Sequence, residues 1–306
     1  MKRFLRNISL FSLLIVIPLV AAEIYVRQMP NPSRAKHQWM LEHSCEVETL
    51  VLGNSHCFYG VNPSLLGERS YSLAQPTQSY RYDWYLLTHY PMPRLRTVIL
   101  PCSYTSLFED VESEPDMRYW AVRYRLYMDC DIHSVLSQYG FEFLHVASFR
   151  EKLSSLWKPS RLSWDSLGFG TSYGTRSKLA EGTDNGVSRA KDNTYADMRS
   201  LQLCTSMLDS ICGWCAQRQV RLVIVAMPVW SSFRNACDSR QLSVRAKVLK
   251  QVLKRHPSVD YFDFRADSSF VISDFYDADH LNQLGARKLT LMLKHEVEKP
   301  LQTSKQ

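Results

Sequence analysis

Two short segments, far apart in the chain, hold the side chains best suited to chemistry. In VLGNSHCFYG (51–60) an apolar run ends in a glycine and sets Ser55 beside His56. In DFYDADHLNQLGARKL (274–289) Asp277 and His280 stand three apart, just before a helix expected to begin near Asn282. An Asp three residues ahead of a His in a turn can fold back so that its carboxylate accepts the ring Nδ1–H, which leaves Nε2 to take a serine proton. A serine hydroxyl is a weak nucleophile without such a base. Asp279 competes with Asp277 for the histidine, with the poorer reach. His56 is a substrate-binding candidate, but its side chain should point away from that of Ser55, which suits a structural role better. Asp274, Asp277, Asp279 and His280 also have the composition of a metal-binding cluster. A metallophosphoesterase would need further Asp and His sets after other strands, and none is found, so no metal and no organic cofactor is expected.

Positioning these groups falls to an α/β scaffold. Strand-like runs are TLVLGN (49–54), SYSLA (70–74), RTVILPCS (96–103), VRLVIVAMP (220–228) and VDYFDFR (259–265). VILP and LVIVAM are apolar throughout, as strands buried on both faces are. Helical patterns fill the gaps in SYRYDWYLLTHY, SLQLCTSMLDSICGWCAQRQ, QLSVRAKVLKQVLKRH and LNQLGARKLTLMLKHEVEK. Strands alternating with helices predict a doubly wound parallel sheet of about five strands. Gly53-Asn54-Ser55-His56 then lies just past the carboxyl end of the first strand, the edge of an open parallel sheet where ligands bind. Gly, Asn and Ser are equally common in plain turns, so the segment taken alone decides nothing.

An insertion at about 105–193 separates the third and fourth strands. Its first part, DMRYWAVRYRLYMDC and onward to SLW, is aromatic and reads as helices over the sheet edge. Its second part, from Pro159 to Asn193, is rich in Ser, Gly and charge, and reads as a long loop, taken as a lid. GFGTSYG (168–174) follows no strand and opens no helix, which argues against a phosphate loop. The aromatics of YRYDWYLL and RYWAVRYRLY have the chemistry of a sugar-stacking surface, but their spacing favours the core.

The 306 residues, 45% of them hydrophobic, are enough to bury a sizeable core. The formal charge of +7 is spread along the chain, so no nucleic acid partner is expected. Lys2, Arg3 and Arg6 precede an uncharged run from Ile8 to Ala22, with apolar character resuming to Val26. The division expected is 1–26 as a signal anchor, or a cleaved signal peptide ending at Val20-Ala21-Ala22, and 27–306 as the α/β domain. The basic flank places that domain outside the cytoplasm, held at the membrane by the N-terminal helix. Cys212 and Cys215 in CGWC fall near a helix C-terminus, where the dipole does not favour thiolate, so they read as structural.

A serine after the first strand, with Asp-x-x-His followed by Leu-Asn and Gly-Ala near the end, resembles the SGNH (GDSL-like) hydrolase family. The resemblance covers roughly 46–104 and 195–298. It is strongest to the membrane-anchored, envelope-facing branch, whose first block reads G-x-S-H before an aromatic, Gly-Val-Asn-Pro run, as HCFYGVNP does here. The resemblance implies a flavodoxin-like three-layer α/β/α sandwich, with Ser55 as nucleophile, His280 as base and Asp277 as its orienting acid. Where the family has an oxyanion glycine, SLAQPTQSY offers Thr77 or Gln78. Where it has the asparagine of G-x-N-D, PCSY offers Ser103. Losing one oxyanion donor costs about 3 kcal/mol of transition-state stabilisation, so Gln78, Ser103 or Asn54 must compensate or activity is slow. The implied function is hydrolysis or transfer of an acyl ester, such as acetyl, on an envelope carbohydrate. A transferase would need a membrane partner to deliver the acyl donor. The alternative is a catalytically weak SGNH-like protein that binds envelope glycan or scaffolds an assembly.

Overall fold

The computed structural model describes residues 1–113, 118–130, 141–142 and 163–298. β-Branched and apolar runs build five strands: β1 (Thr49–Val51), β2 (Ser70–Ser72), β3 (Thr97–Pro101), β4 (Arg221–Ala226) and β5 (Asp260–Asp263). They lie in the order β2-β1-β3-β4-β5, and every neighbouring pair is parallel. This is the flavodoxin-like order, whose crevice opens where the chain reverses direction across the sheet, between β1 and β3.

The helices, in chain order, are α1 (Lys2–Gln28), α2 (Pro32–His43), α3 (Ser55–Gly60), α4 (Tyr80–His89), α5 (Arg118–Met128), α6 (Gly186–Asp192), α7 (Leu201–Gln217), α8 (Ser231–Ala236), α9 (Ser239–Arg255) and α10 (Gln283–Glu298). Strand alternation sorts them into two layers. Leu50, Val98, Leu100, Leu222 and Ile224 point to one face and pack with buried residues of α2, α4, α5, α7 and α9. Val51, Ile99, Val223 and Val225 point to the other, against α3, α8 and α10. Cys212 and Cys215 are free thiols on the core side of α7, and burial pushes both up to about 12, which leaves them without thiolate character.

α1 runs unbroken through Ala21-Ala22-Glu23. Its 27 residues span about 40 Å, and it is apolar enough to cross a membrane. Its last turns dock on the domain: Glu23 and Val26 are buried, and Glu23 Oε1 accepts from Arg27 Nε at 2.6 Å and from the Glu142 backbone N–H at 2.9 Å.

Of the insertion, α5 forms where the aromatic run predicted a helix and packs against α2. Most of the remaining run to SLW falls outside the described residues. The second part is not loop throughout, because GVSRAKD closes it as α6. The preceding strap is fastened by backbone bonds: the Ser72 N–H donates to Leu167 O (3.0 Å), Gly170 to Phe58 O (2.7 Å), Lys178 to Tyr276 O (2.8 Å) and Gln283 to Gly174 O (2.8 Å). Gly168, at φ +82°, allows this approach, since a Cβ there would lie 2.2 Å from Ser72 O.

Candidate active site

The turn after β1 is fixed by Gly53. It sits at φ +103°, where an added Cβ would lie 2.1 Å from Pro101 Cδ, so only glycine fits. Asn54 then caps α3, its Oδ1 accepting the His56 N–H at 3.1 Å, and Ser55 opens the helix. At the other end of the chain, the Tyr276 N–H donates to His280 O (2.9 Å) and Asn282 Oδ1 accepts from Leu284 and Gly285, so residues 276–280 close into a tight loop ahead of α10.

These two turns bring the sequence-predicted groups together. Ser55 Oγ lies 2.9 Å from His280 Nε2, and His280 Nδ1 lies 3.0 Å from Asp277 Oδ1. The same Asp277 oxygen accepts the His280 N–H at 2.9 Å, the folded-back geometry that the three-residue spacing suggested. The expectation for Asp279 needs correction. Its Oδ1 lies 3.1 Å from His280 Nδ1, nearly as close as Asp277, because Arg189 of α6 grips it with two hydrogen bonds, Nε to Oδ1 at 3.1 Å and Nη2 to Oδ2 at 2.9 Å. Sequence reasoning missed Arg189, which lies in the stretch read as loop. Only a basic residue within a short helical pattern would have marked it.

Burial by itself pulls the His280 pKa down, but the Asp279 and Asp277 carboxylates outweigh it and push it up to about 10. For Asp279, burial opposes ionisation, yet His280 and Arg189 hold it well below the usual carboxylate range. His56 is driven the other way: burial first, then the His280 charge, lower it to about 3, so it stays neutral. The His56 ring stays near the site. It lies 5.0 Å from the His280 ring and, with Ser103, Tyr104, Met227, Phe233 and Leu242, walls a cavity of about 50 Å³.

Among the oxyanion candidates, Gln78 is a correction. Its N–H donates to Gln75 O, its Nε2 to Asp83 Oδ1 (2.6 Å), and its Oε1 accepts from Tyr124, so it braces the loop rather than presenting a donor. Thr77 sits at φ 60° with its hydroxyl on Pro76 O, and its amide makes no hydrogen bond among the described residues. Asn54 Nδ2 donates to Ser103 Oγ at 3.2 Å, which joins the first and third loops beside the serine.

Asp274 stands apart from the other acids, bonded to the Val271 N–H and to Lys288 of α10. The ligating atoms of His56, Asp279 and His280 lie within 4.8 Å of one another, but the Arg189 cation already occupies Asp279. Tyr80 and Tyr82 of α4 and Tyr124 and Tyr127 of α5 are core, with Tyr82 stacked on Tyr124 at 3.8 Å. A different aromatic wall faces the site: Tyr59, Tyr173 and Tyr276 stack in series at 3.8 Å spacings, half-buried, with the Tyr173 ring 5.6 Å from that of His280.

One buried acid was also missed. Asp83 Oδ1 accepts the Gly53 N–H at 2.7 Å and the Gln78 amide, tying the serine turn to the second loop, and burial raises its carboxyl to about 7. An acid among the aromatic and leucine residues of the buried face of α4 was the available signal. Asp83→Ala strands two buried donors and is expected to destabilise the fold by about 2–4 kcal/mol, whereas Asp83→Asn keeps an acceptor and costs less. Urea unfolding midpoints check this, and coincident curves for wild type and Asp83→Ala would refute the clamp.

No protein-family model matches the chain, and no curated protein matches it. Among solved structures, a candidate platelet activating factor from Streptococcus pneumonia aligns at 10% identity over 94% of this chain and 99% of its own, with a TM-score of 0.44. Phospholipase A1 from Streptomyces albidoflavus aligns at 11% identity over 82% of this chain and 99% of its own, with a TM-score of 0.38. Likenesses this distant carry no argument about activity. The fold and the site therefore define the protein on their own terms: a flavodoxin-like α/β sheet with a hydroxyl, an imidazole and a carboxylate in hydrogen-bonded series at its carboxyl edge.

Proposed function

We propose that the protein is an SGNH-type serine ester hydrolase, anchored by α1 and facing outside the cytoplasm, that acts on an acylated envelope carbohydrate. The observation that carries this reading is the Ser55–His280–Asp277 series. Ser55 Oγ attacks the ester carbonyl as its proton passes to His280 Nε2, while Asp277 holds the Nδ1–H and stabilises the imidazolium. The oxyanion is met by the Ser55 amide, which has no intrahelical partner at the first position of α3, together with the Thr77 amide and the second N–H of Asn54 Nδ2, whose first is held by Ser103 Oγ. His280 then returns the proton to the departing alkoxide, leaving an acyl-Ser55 ester. Water attacks that ester in turn to release the acid. Transfer to a sugar hydroxyl instead of water would need a partner in the membrane to supply the acyl donor.

The carbohydrate class is supported by the half-buried Tyr59–Tyr173–Tyr276 stack beside His280, whose partly exposed ring edges and phenolic groups offer a surface both apolar and hydrogen-bonding, as a sugar ring presents. A non-catalytic glycan binder is the second reading, favoured by the donors of Gln78 being committed elsewhere. A fluorophosphonate probe separates the two. Full-length protein in detergent is expected to label on one serine, with labelling lost in Ser55→Ala. An unlabelled wild type would favour the binder.

A further inference from the structure

A second cluster lies away from Ser55. His37 comes from α2, His89 is the last residue of α4, and Asp129 follows α5. One ligating atom of each lies within 4.8 Å of the others. Two tyrosines hold the three in place. Tyr90 OH is 2.8 Å from His37 Nδ1, which directs Nε2 toward Asp129 Oδ2 at 3.5 Å. Tyr85 OH donates to the Asp129 carbonyl at 2.6 Å, and the His89 ring stacks on Tyr85 with centroids 4.7 Å apart.

We propose that His37, His89 and Asp129 form a binding site for one divalent transition-metal ion of the zinc type, with water as the fourth ligand. Zinc bonds of about 2.0–2.1 Å in a tetrahedron set donor atoms roughly 3.3 Å apart. The His37–Asp129 distance already approaches that spacing, and His89, exposed at its helix end, closes the remaining gap by side-chain rotation. A phenolic oxygen on the far nitrogen of a ligating imidazole is the supporting contact that metal-binding histidines use to fix the ring. A simple His37–Asp129 contact is the simpler reading, but at 3.5 Å it is long for a hydrogen bond and leaves the nearby His89 ring without a role. A metal takes both rings neutral and the carboxylate ionised, and so satisfies all three groups together. The ion would clip α2, next to the membrane helix, to the ends of α4 and α5. The site is independent of ester hydrolysis.

The test is a Co²⁺ titration of chelator-stripped, full-length protein in detergent, followed by visible absorption. One ion per chain with the intense bands of four-coordinate Co²⁺ is expected, with binding at least tenfold weaker in His89→Ala and in Asp129→Asn and unchanged in His280→Ala. Zn²⁺ should raise Tm and Mg²⁺ should not, since magnesium favours oxygen ligands. Ester hydrolysis should be unchanged in His89→Ala. Absence of saturable binding overturns the proposal. Binding that survives in His89→Ala and disappears in His280→Ala also overturns it, assigning the ion to His56, Asp279 and His280.

Discussion

Hydrolysis of p-nitrophenyl acetate is expected to fall by about 10,000-fold in Ser55→Ala and by a similar factor in His280→Ala, with the double variant little worse than either. The non-additivity follows from geometry. At 2.9 Å from Oγ, His280 Nε2 would be the base that makes Ser55 a nucleophile in the proposed reaction, so removing either would end the same proton transfer. Circular dichroism should confirm that both variants fold, since Ser55 is half-buried at a helix start and His280 keeps its loop through backbone bonds. Independent losses that multiply in the double variant would mean that the two side chains do not act as a unit.

The second large effect concerns pH. Only neutral imidazole can accept the serine proton, yet two carboxylates at Nδ1 push His280 up to about 10. The kcat/KM of the free enzyme should therefore climb steadily above neutrality instead of levelling near 6.5, the ordinary histidine value. Asp279→Asn removes one of the two charges while Asp277 keeps the ring oriented. It is expected to move the ascending limb by a unit or more toward acid and to raise kcat/KM at pH 7 about tenfold. Asp277→Asn should instead lower the rate, because it disturbs the hydrogen bond that selects the tautomer. A limb near 6.5 in wild type, unmoved by Asp279→Asn, would refute the two-carboxylate account. Stability carries the same sign. A histidine whose folded pKa lies above its unfolded value binds a proton more tightly in the native state. Its contribution is complete below about 6.5 and is lost as pH rises toward 10.

What was legible in the sequence was local. VILP and LVIVAM showed themselves as buried strands because both faces of those strands are covered, and Asp277 found His280 because three residues of turn suffice to close the contact. Ser55 could be placed because Gly53 marks the turn just past a strand. The features that escaped depend on pairs far apart in the chain. Arg189 and Asp279 meet across 90 residues, and Asp83 and Gly53 across 30, so no local spacing announces either. The Tyr59–Tyr173–Tyr276 stack joins α3 to two distant loops in the same way. Gln78 shows the converse: its place in the second loop was read correctly as a position, but its donors were already used by Asp83 and Gln75.

The docking of Glu23 and Val26 has a consequence for how substrate is met. With α1 as an anchor, only Met29, Pro30 and Asn31 separate it from α2, and its last turns are already held by the domain. So short and docked a link would leave the domain little slack to swing outward. The catalytic centre would then sit at a fixed standoff from the bilayer and patrol a thin layer parallel to it. Encounter would be governed by lateral diffusion in two dimensions, so esters displayed close to the membrane surface would be met at high local concentration, and those presented farther out would be beyond reach.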